Sequence, residues 1–198
     1  MNPTPFFLRF LAIPALIVLT HAAFAQQCGV IHVSPNGAGS GAAGTRSNPA
    51  SLTYGLSLAS GTNTVIWMAA GTYPITNTLQ IPSGITLEGG FDPATWVKSN
   101  ATPTIISRSA ANVLPAPANA LVGLAALNAT GFRLQDLTVD VAAAPSSGVS
   151  VYGIYLNGCS DYNIVRCVVT TGAGGAGLSG SPGTPGVAGG NGQPGQPG

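Results

Sequence analysis

Apolar and polar positions recur along this chain with a long period. Residues 121–141, LVGLAALNATGFRLQDLTVDV, and 151–171, VYGIYLNGCSDYNIVRCVVTT, are one segment written twice, thirty positions apart. Gly123 falls over Gly153, Leu124 over Ile154, Phe132 over Tyr162, Leu134 over Ile164, Leu137 over Cys167 and Val139 over Val169. A period of this length marks stacked units, none of which buries its apolar face alone. Phe132 and Leu134 alternate as in a strand, two residues turn, and Leu137 and Val139 resume on the same side; Tyr162, Ile164, Cys167 and Val169 repeat this. Such a broken alternation predicts two short strands on adjacent walls of one coil, both facing a common core.

Upstream the same reading extends to TVIWMAAG, TYPITNTLQI and GITLEGGF, β-rich runs punctuated by Gly, Pro, Asn and Ser. Together with the repeat they predict an all-β stack of parallel units. Before them, SLTYGLSLAS reads as a short helix that Ser51 caps and Gly61 ends, with Leu52, Leu56 and Ala59 on one face. A one-faced helix near the start suits a plug over an open core. The segment 33–50, rich in Gly, Ser, Asn and Pro, reads as a loop.

Both ends differ in kind. Arg9 precedes an apolar run from Phe10 to Phe24, and Ala23-Phe24-Ala25 offers small residues at the cleavage positions, so residues 1–25 read as a signal peptide cut after Ala25. Pro14 and His21 interrupt a run already short for a membrane span, and Gln27 before Cys28 does not suit lipidation. At the other end glycine occupies every third position from 174 to 198, with Pro182, Pro185, Pro194 and Pro197 in the register. Gly-X-Y with proline is the condition for a collagen-type triple helix. Without charges or a trimerising module the tail makes a weak one, so a Gly-rich segment or a packed bundle is expected, and an oligomer only if the tail trimerises. The expected organisation is a signal peptide over 1–25, a cap region with a short helix over 26–62, coils over 63–171 and a low-complexity tail over 172–198.

Composition narrows the partners. Of six basic residues Arg9 lies in the leader, leaving five against five acids, Glu88, Asp92, Asp136, Asp140 and Asp161. A neutral chain with 6% charged residues offers nothing that attracts nucleic acid or an anionic membrane. Three cysteines, Cys28, Cys159 and Cys167, remain in an oxidising compartment. Cys167 aligns with Leu137 and reads as a buried thiol acting as a small hydrophobe; a disulfide from Cys28 to one of the others is the alternative.

Ser34 to Gly37, Gly71 to Tyr73, Leu87 to Phe91 and Thr104 to Ile106 form an ordered series of short motifs around the helix. In this series the chain, over about residues 30–171, resembles secreted bacterial right-handed parallel β-helix proteins of the pectin-lyase-like superfamily, followed by a collagen-like tail. The resemblance implies a right-handed parallel β-helix of few coils with an N-terminal capping helix. It implies no single activity, since the superfamily holds lyases, hydrolases, adhesins and proteins with no known chemistry. Gly71 and the Gly89-Gly90 pair would make tight corners with positive φ, and Leu87 and Phe91 would supply core.

Enzymes of that superfamily carry clustered acids. Glycoside hydrolysis asks for two carboxyls at a set separation, and Ca²⁺, which only a lyase would need here, asks for six to eight oxygens. Asp136 and Asp140 are the best candidates, with Arg133 or Arg166 completing an acid/base or calcium site. The repeat offers a simpler account, because it sets Asp136 beside Arg166 at one turn position as a stacked ion pair. His32, between Ile31 and Val33, reads as a structural or exposed edge-strand residue, and no metal spacing of Cys and His exists. Tyr152, Tyr155 and Tyr162 read as core or surface packing, with Tyr155 facing out over Ala125; exposed tyrosines can also stack on sugar rings. The expectation is a secreted or cell-surface scaffold, adhesin-like or matrix-like, that binds extracellular polysaccharide or a cell surface without a cofactor. The alternative is the N-terminal part of a polysaccharide lyase or glycoside hydrolase.

Overall fold

The computed structural model describes residues 29–115 and 118–198. The signal-peptide reading, its cleavage site and Cys28 lie outside the described residues. Ser51 accepts a hydrogen bond from the Tyr54 amide and starts α1 (Leu52–Leu58), which ends on Ala59, two residues before the expected Gly61. Everything else regular is strand: β1 (Val30–Ala38), β2 (Val65–Ala69), β3 (Gly71–Ile75), β4 (Leu79–Gln80), β5 (Thr86–Phe91), β6 (Thr104–Arg108), β7 (Ala120–Leu127), β8 (Arg133–Gln135), β9 (Thr138–Val141), β10 (Ser150–Asn157), β11 (Asn163–Val165) and β12 (Val168–Thr171).

These strands stack into a parallel β-helix of about four turns. The chain passes in turn through a first sheet ordered β1-β2-β5-β8-β11, a second ordered β3-β6-β9-β12 and a third ordered β4-β7-β10. Every pairing between named strands is parallel, and in the last two coils the partners are thirty residues apart: Tyr155 on Ala125, Ile164 on Leu134, Val169 on Val139. The repeat is therefore the length of chain in one coil. Between β8 and β9 the chain turns at Asp136 (φ 54°), and between β11 and β12 at Arg166 (φ 50°). The left-handed region makes a sharp corner in one residue, and aspartate tolerates it better than arginine does.

Inside the coil lies one continuous core, including Ile66, Met68, Leu87, Ile106, Leu124, Phe132, Leu134, Leu137 and Val139. α1 lies on β1 at the first coil. Gly55 makes this possible, since a Cβ there would run into the Val33 side chain; glycine in a helix costs about 1 kcal/mol relative to alanine, which the close approach offsets. Gly123 and Gly153 stack in the third sheet opposite Val139 and Val169, leaving room for the valines across the interior.

Several local expectations are corrected. The stretch 33–50 is not all loop: as far as Ala38 it is β1, whose pairing with β2 outweighs its Gly, Pro and Asn content. Gly89 does not have positive φ, unlike Gly71 (134°) and Gly90 (85°); it is small because a Cβ there would meet the Asp136 carbonyl and Thr104. Phe91 leaves the main core for a second cluster with Ala69 and Trp96. Ile164, in register with buried Leu134 (1% exposed), is 41% exposed, because no further described strand covers β11. Cys159 and Cys167 are free, half-buried thiols packed against the core, and burial pushes the Cys167 thiol up.

From Gly172 the tail first follows the coil beneath, its Gly172 amide donating to Val141 O (2.8 Å) and its Gly175 amide to Val149 O (2.8 Å). It leaves at the corner where the two preceding coils carry the loops 109–119 and 142–149. Residues 172–198 form neither helix nor strand, and a Cβ on any glycine from Gly177 onward would meet open space.

Candidate functional site

The sequence candidates gather around one corner of the stack, but not all of them. Arg166 lies directly over Asp136 and grips it with two parallel bonds, Nε to Oδ1 at 2.6 Å and Nη2 to Oδ2 at 2.8 Å. The Asp136 side chain is 6% exposed, whereas that of Arg166 is 59% exposed. Lys98, from the loop 92–103, reaches Asp136 Oδ2 at 2.5 Å and also bridges to Glu88. Gln135 donates to Glu88 (3.0 Å) and to Asp136 (3.1 Å), and accepts from Arg133 Nε (2.7 Å). Arg133 thus touches Asp136 only through Gln135. Asp140 is apart, exposed on β9 and accepting from Thr170 of the coil above at 2.7 Å.

This arrangement decides what Asp136 can do. The Arg166 guanidinium, helped by Lys98 and Gln135, holds its carboxyl well below the usual carboxylate range despite burial. An acid so stabilised does not take up a proton near neutral pH, as a general acid or base must. Its two oxygens are occupied by four donors, leaving little for a cation. Among the described residues no three of His, Cys, Asp and Glu come together as a metal site. The corner borders a cleft of about 260 Å³ lined by Gly90, Asn100, Thr102, Thr104, Asp136 and Arg166.

Beside it, on the outer side of the first sheet, His32 is buried rather than exposed, although β1 is an edge strand as expected. Trp96 meets its ring edge-on at 4.6 Å and Trp67 at 5.7 Å, and Trp67 stacks on Phe91 at 4.5 Å. Burial lowers the affinity of His32 for a proton, with Arg46 adding to this and the Gly44 carbonyl opposing it.

A second concavity lies on the third sheet. It measures about 430 Å³ and is lined by Tyr152, Tyr155, Gln80, Asn157, Leu114 and a floor of small residues that includes Ala120 and Ala125. Tyr155 stands over Ala125, with Gln80 in the same row one strand further on. Tyr152 and Tyr155 are 42% and 38% exposed and meet at 5.7 Å in an edge-to-face arrangement. Tyr162 instead stacks flat on Phe132 of the coil below, at 5.2 Å. The described residues lining this groove include no charged side chain.

Three features escaped sequence reasoning. Arg108 is 1% exposed and donates only to carbonyls: Val122 O (3.2 Å), Ser109 O (2.6 Å) and Asn112 O (3.0 Å). It pins the loop that walls the groove. Glu88 is in register with Gln135, but 47 positions separate them because the loop 92–103 and the loop 109–119 lengthen that coil. Lys98 and Trp96 carry no periodic signal, being loop residues folded onto the sheet. Compared with family models, curated proteins and solved structures, the chain matches none.

Proposed function

We propose that the chain is a secreted or cell-surface β-helical scaffold, adhesin-like or matrix-like, whose third-sheet groove takes a segment of neutral glycan. The groove carries this reading. Two exposed tyrosines inclined at 64° to each other present apolar faces, Gln80 and Asn157 supply amides, and alanines keep the floor low. Ligand sites combine mostly apolar walls with a few placed polar groups, and this volume falls in their usual range of about 300–1,000 Å³. Sugar rings offer apolar C–H faces ringed by hydroxyls, which suits this lining. An uncharged groove favours neutral over acidic chains, since a carboxylate would be desolvated there without a cation.

The occupied state of Asp136 supports a scaffold over a polysaccharide lyase or hydrolase. The Gly-X-Y tail, leaving at a coil corner where loops emerge, serves as an inserted arm or spacer. The apolar leader and the likeness of Ser34 to Gly37, Gly71 to Tyr73 and Leu87 to Phe91 to pectin-lyase-like β-helix proteins support export.

Affinity electrophoresis in gels containing neutral or acidic polysaccharides tests the groove. Retardation by a neutral polymer that disappears in Tyr152→Ala/Tyr155→Ala is the expected result. No retardation by any neutral polymer, or none lost in the variant, would sink the glycan reading. Release of unsaturated products from an acidic polysaccharide with Ca²⁺ would replace the scaffold with the lyase.

A further inference from the structure

The loop 92–103 is strapped across the outer side of the first sheet by side chains at three places, while its second half is fastened by backbone bonds from the Ser99 and Asn100 amides to Gly90 O and from the Gly71 amide to Pro103 O. Trp96 enters the aromatic cluster, Lys98 bonds Glu88 and Asp136, and Arg46 donates to the Thr95 carbonyl. Asp92 ties the first turn internally by accepting from Ala94 and Thr95. Beyond Trp96 the same loop supplies Asn100, Thr102 and Pro103 to the wall of the cleft beside Asp136. Trp96 thus anchors the first half of the loop, and backbone bonds anchor the second half.

The residue under Trp96 is His32, and its Nδ1 is buried without a hydrogen-bond partner. A neutral imidazole leaves one ring nitrogen bare and tolerates this at modest expense, but an imidazolium carries N–H groups on both nitrogens. Nδ1 would then be a charged donor that bonds nothing in the closed cluster, held between two indoles with only the Gly44 carbonyl nearby to oppose the cost of burial. Unpaired buried charge is far costlier than an unpaired neutral atom. We propose that His32 is an acid-sensitive latch: its protonation expels Trp96 and loosens the turn 92–97 from the first sheet, while backbone bonds keep 99–103 in place.

The charged groups around the latch leave it to titrate alone. Arg46, from the loop 39–50, repels the imidazolium. Glu88, beside Trp67 on the neighbouring strand, is neutralised by Lys98, which also stands 5.4 Å over the Phe91 ring. Asp92 is held below the usual carboxylate range by its Thr95 bonds and stays ionised. The closed cluster favours neutral His32, so the opened loop binds the proton first. The closed state is thus fully present above about pH 6.5, the value of a free histidine, and is lost as pH falls below it.

The chain contains two tryptophans, Trp67 and Trp96, and both are in the cluster. Their fluorescence, followed in the full chain between about pH 8 and 5, therefore reads the latch directly. A red shift fitting one proton with a midpoint below 6.5, faster hydrogen exchange in 92–97 after correction for intrinsic rates, and unchanged far-ultraviolet dichroism are expected. His32→Phe, folded by dichroism, should show no shift. In a His21→Ala background, the imidazole proton signals should titrate with the same midpoint, which keeps the test open if His32→Phe does not fold. The proposal is overturned by an absent shift, by a shift retained in His32→Phe, by unequal midpoints, or by collapse of the dichroism alongside the fluorescence. A midpoint above 6.5 with slower loop exchange would overturn it too, by showing that the indoles hold the imidazolium.

Discussion

Gly123→Ala and Gly153→Ala are one substitution made at the same place in two successive coils, and they should differ. Neither glycine has positive φ, so alanine fits both backbones and would gain about 0.4–1 kcal/mol by restricting the unfolded chain. The difference lies in what the new methyl meets. At 123 it would stand 2.7 Å from the Gly153 carbonyl oxygen, 2.8 Å from Val141 Cγ2 and 3.1 Å from Val139 Cγ1. The carbonyl belongs to the β7–β10 pairing, and both valines are buried, at 2% and 1% exposure. None can move without disturbing a neighbour, so the clash falls at the upper end of overpacking, about 3 kcal/mol, and the net loss is about 2 kcal/mol. At 153 the one severe contact is Val169 Cγ1. Val169 is 45% exposed and can change rotamer, so the two effects roughly cancel. Equilibrium urea unfolding, with equal m-values, measures both. Equal losses, or a larger one at 153, would refute the reasoning that covered coils are rigid and the last described coil is not.

Asp136→Asn keeps the shape and the left-handed corner but removes the charge. Because the folded state holds this carboxyl below its ordinary value of 3.8, its contribution is complete above that pH and lost as pH falls toward the folded value. The variant should therefore be less stable at neutral pH and show a flatter fall in urea midpoint below about pH 4; an unchanged acid profile would mean the corner charge is not used. Arg108→Met removes donors to three carbonyls while keeping a long apolar stem. Hydrogen exchange in the loop 109–119 should rise at least tenfold, the effect of a single lost hydrogen bond of about 1.4 kcal/mol, since two of the three bonds removed are to carbonyls of this loop. Unaltered exchange in that loop would show that other contacts hold it.

How far the sequence could be read follows from spacing. Between residues 121 and 171 the coils repeat at thirty residues, so the register, the core of the first of these coils and the stacking of Arg166 on Asp136 are legible, whereas the exposure of Tyr162, Ile164 and Val169 in the second is not. Earlier coils differ in length, and there the partners of Glu88 could not be counted out. Glycine, proline and asparagine in 33–50 hid the end of β1, because strand pairing is a property of the neighbour and not of the segment. Buried Arg108 and His32 were illegible for a related reason: each is enclosed by a loop returning from far along the chain.

The stack is written in the chain: parallel strands, two per broken alternation, an N-terminal helix over the first coil, and a glycine register that leaves the fold. These follow from periodicity, which every coil must obey to bury its share of a common core. Tertiary structure alone decided the sites. It closed Lys98 and Gln135 onto Asp136, set two tyrosines over an alanine floor, and sealed His32 between two tryptophans. Such groups meet across loops of unequal length, where no local pattern specifies which atoms touch and only the path of the backbone brings them together.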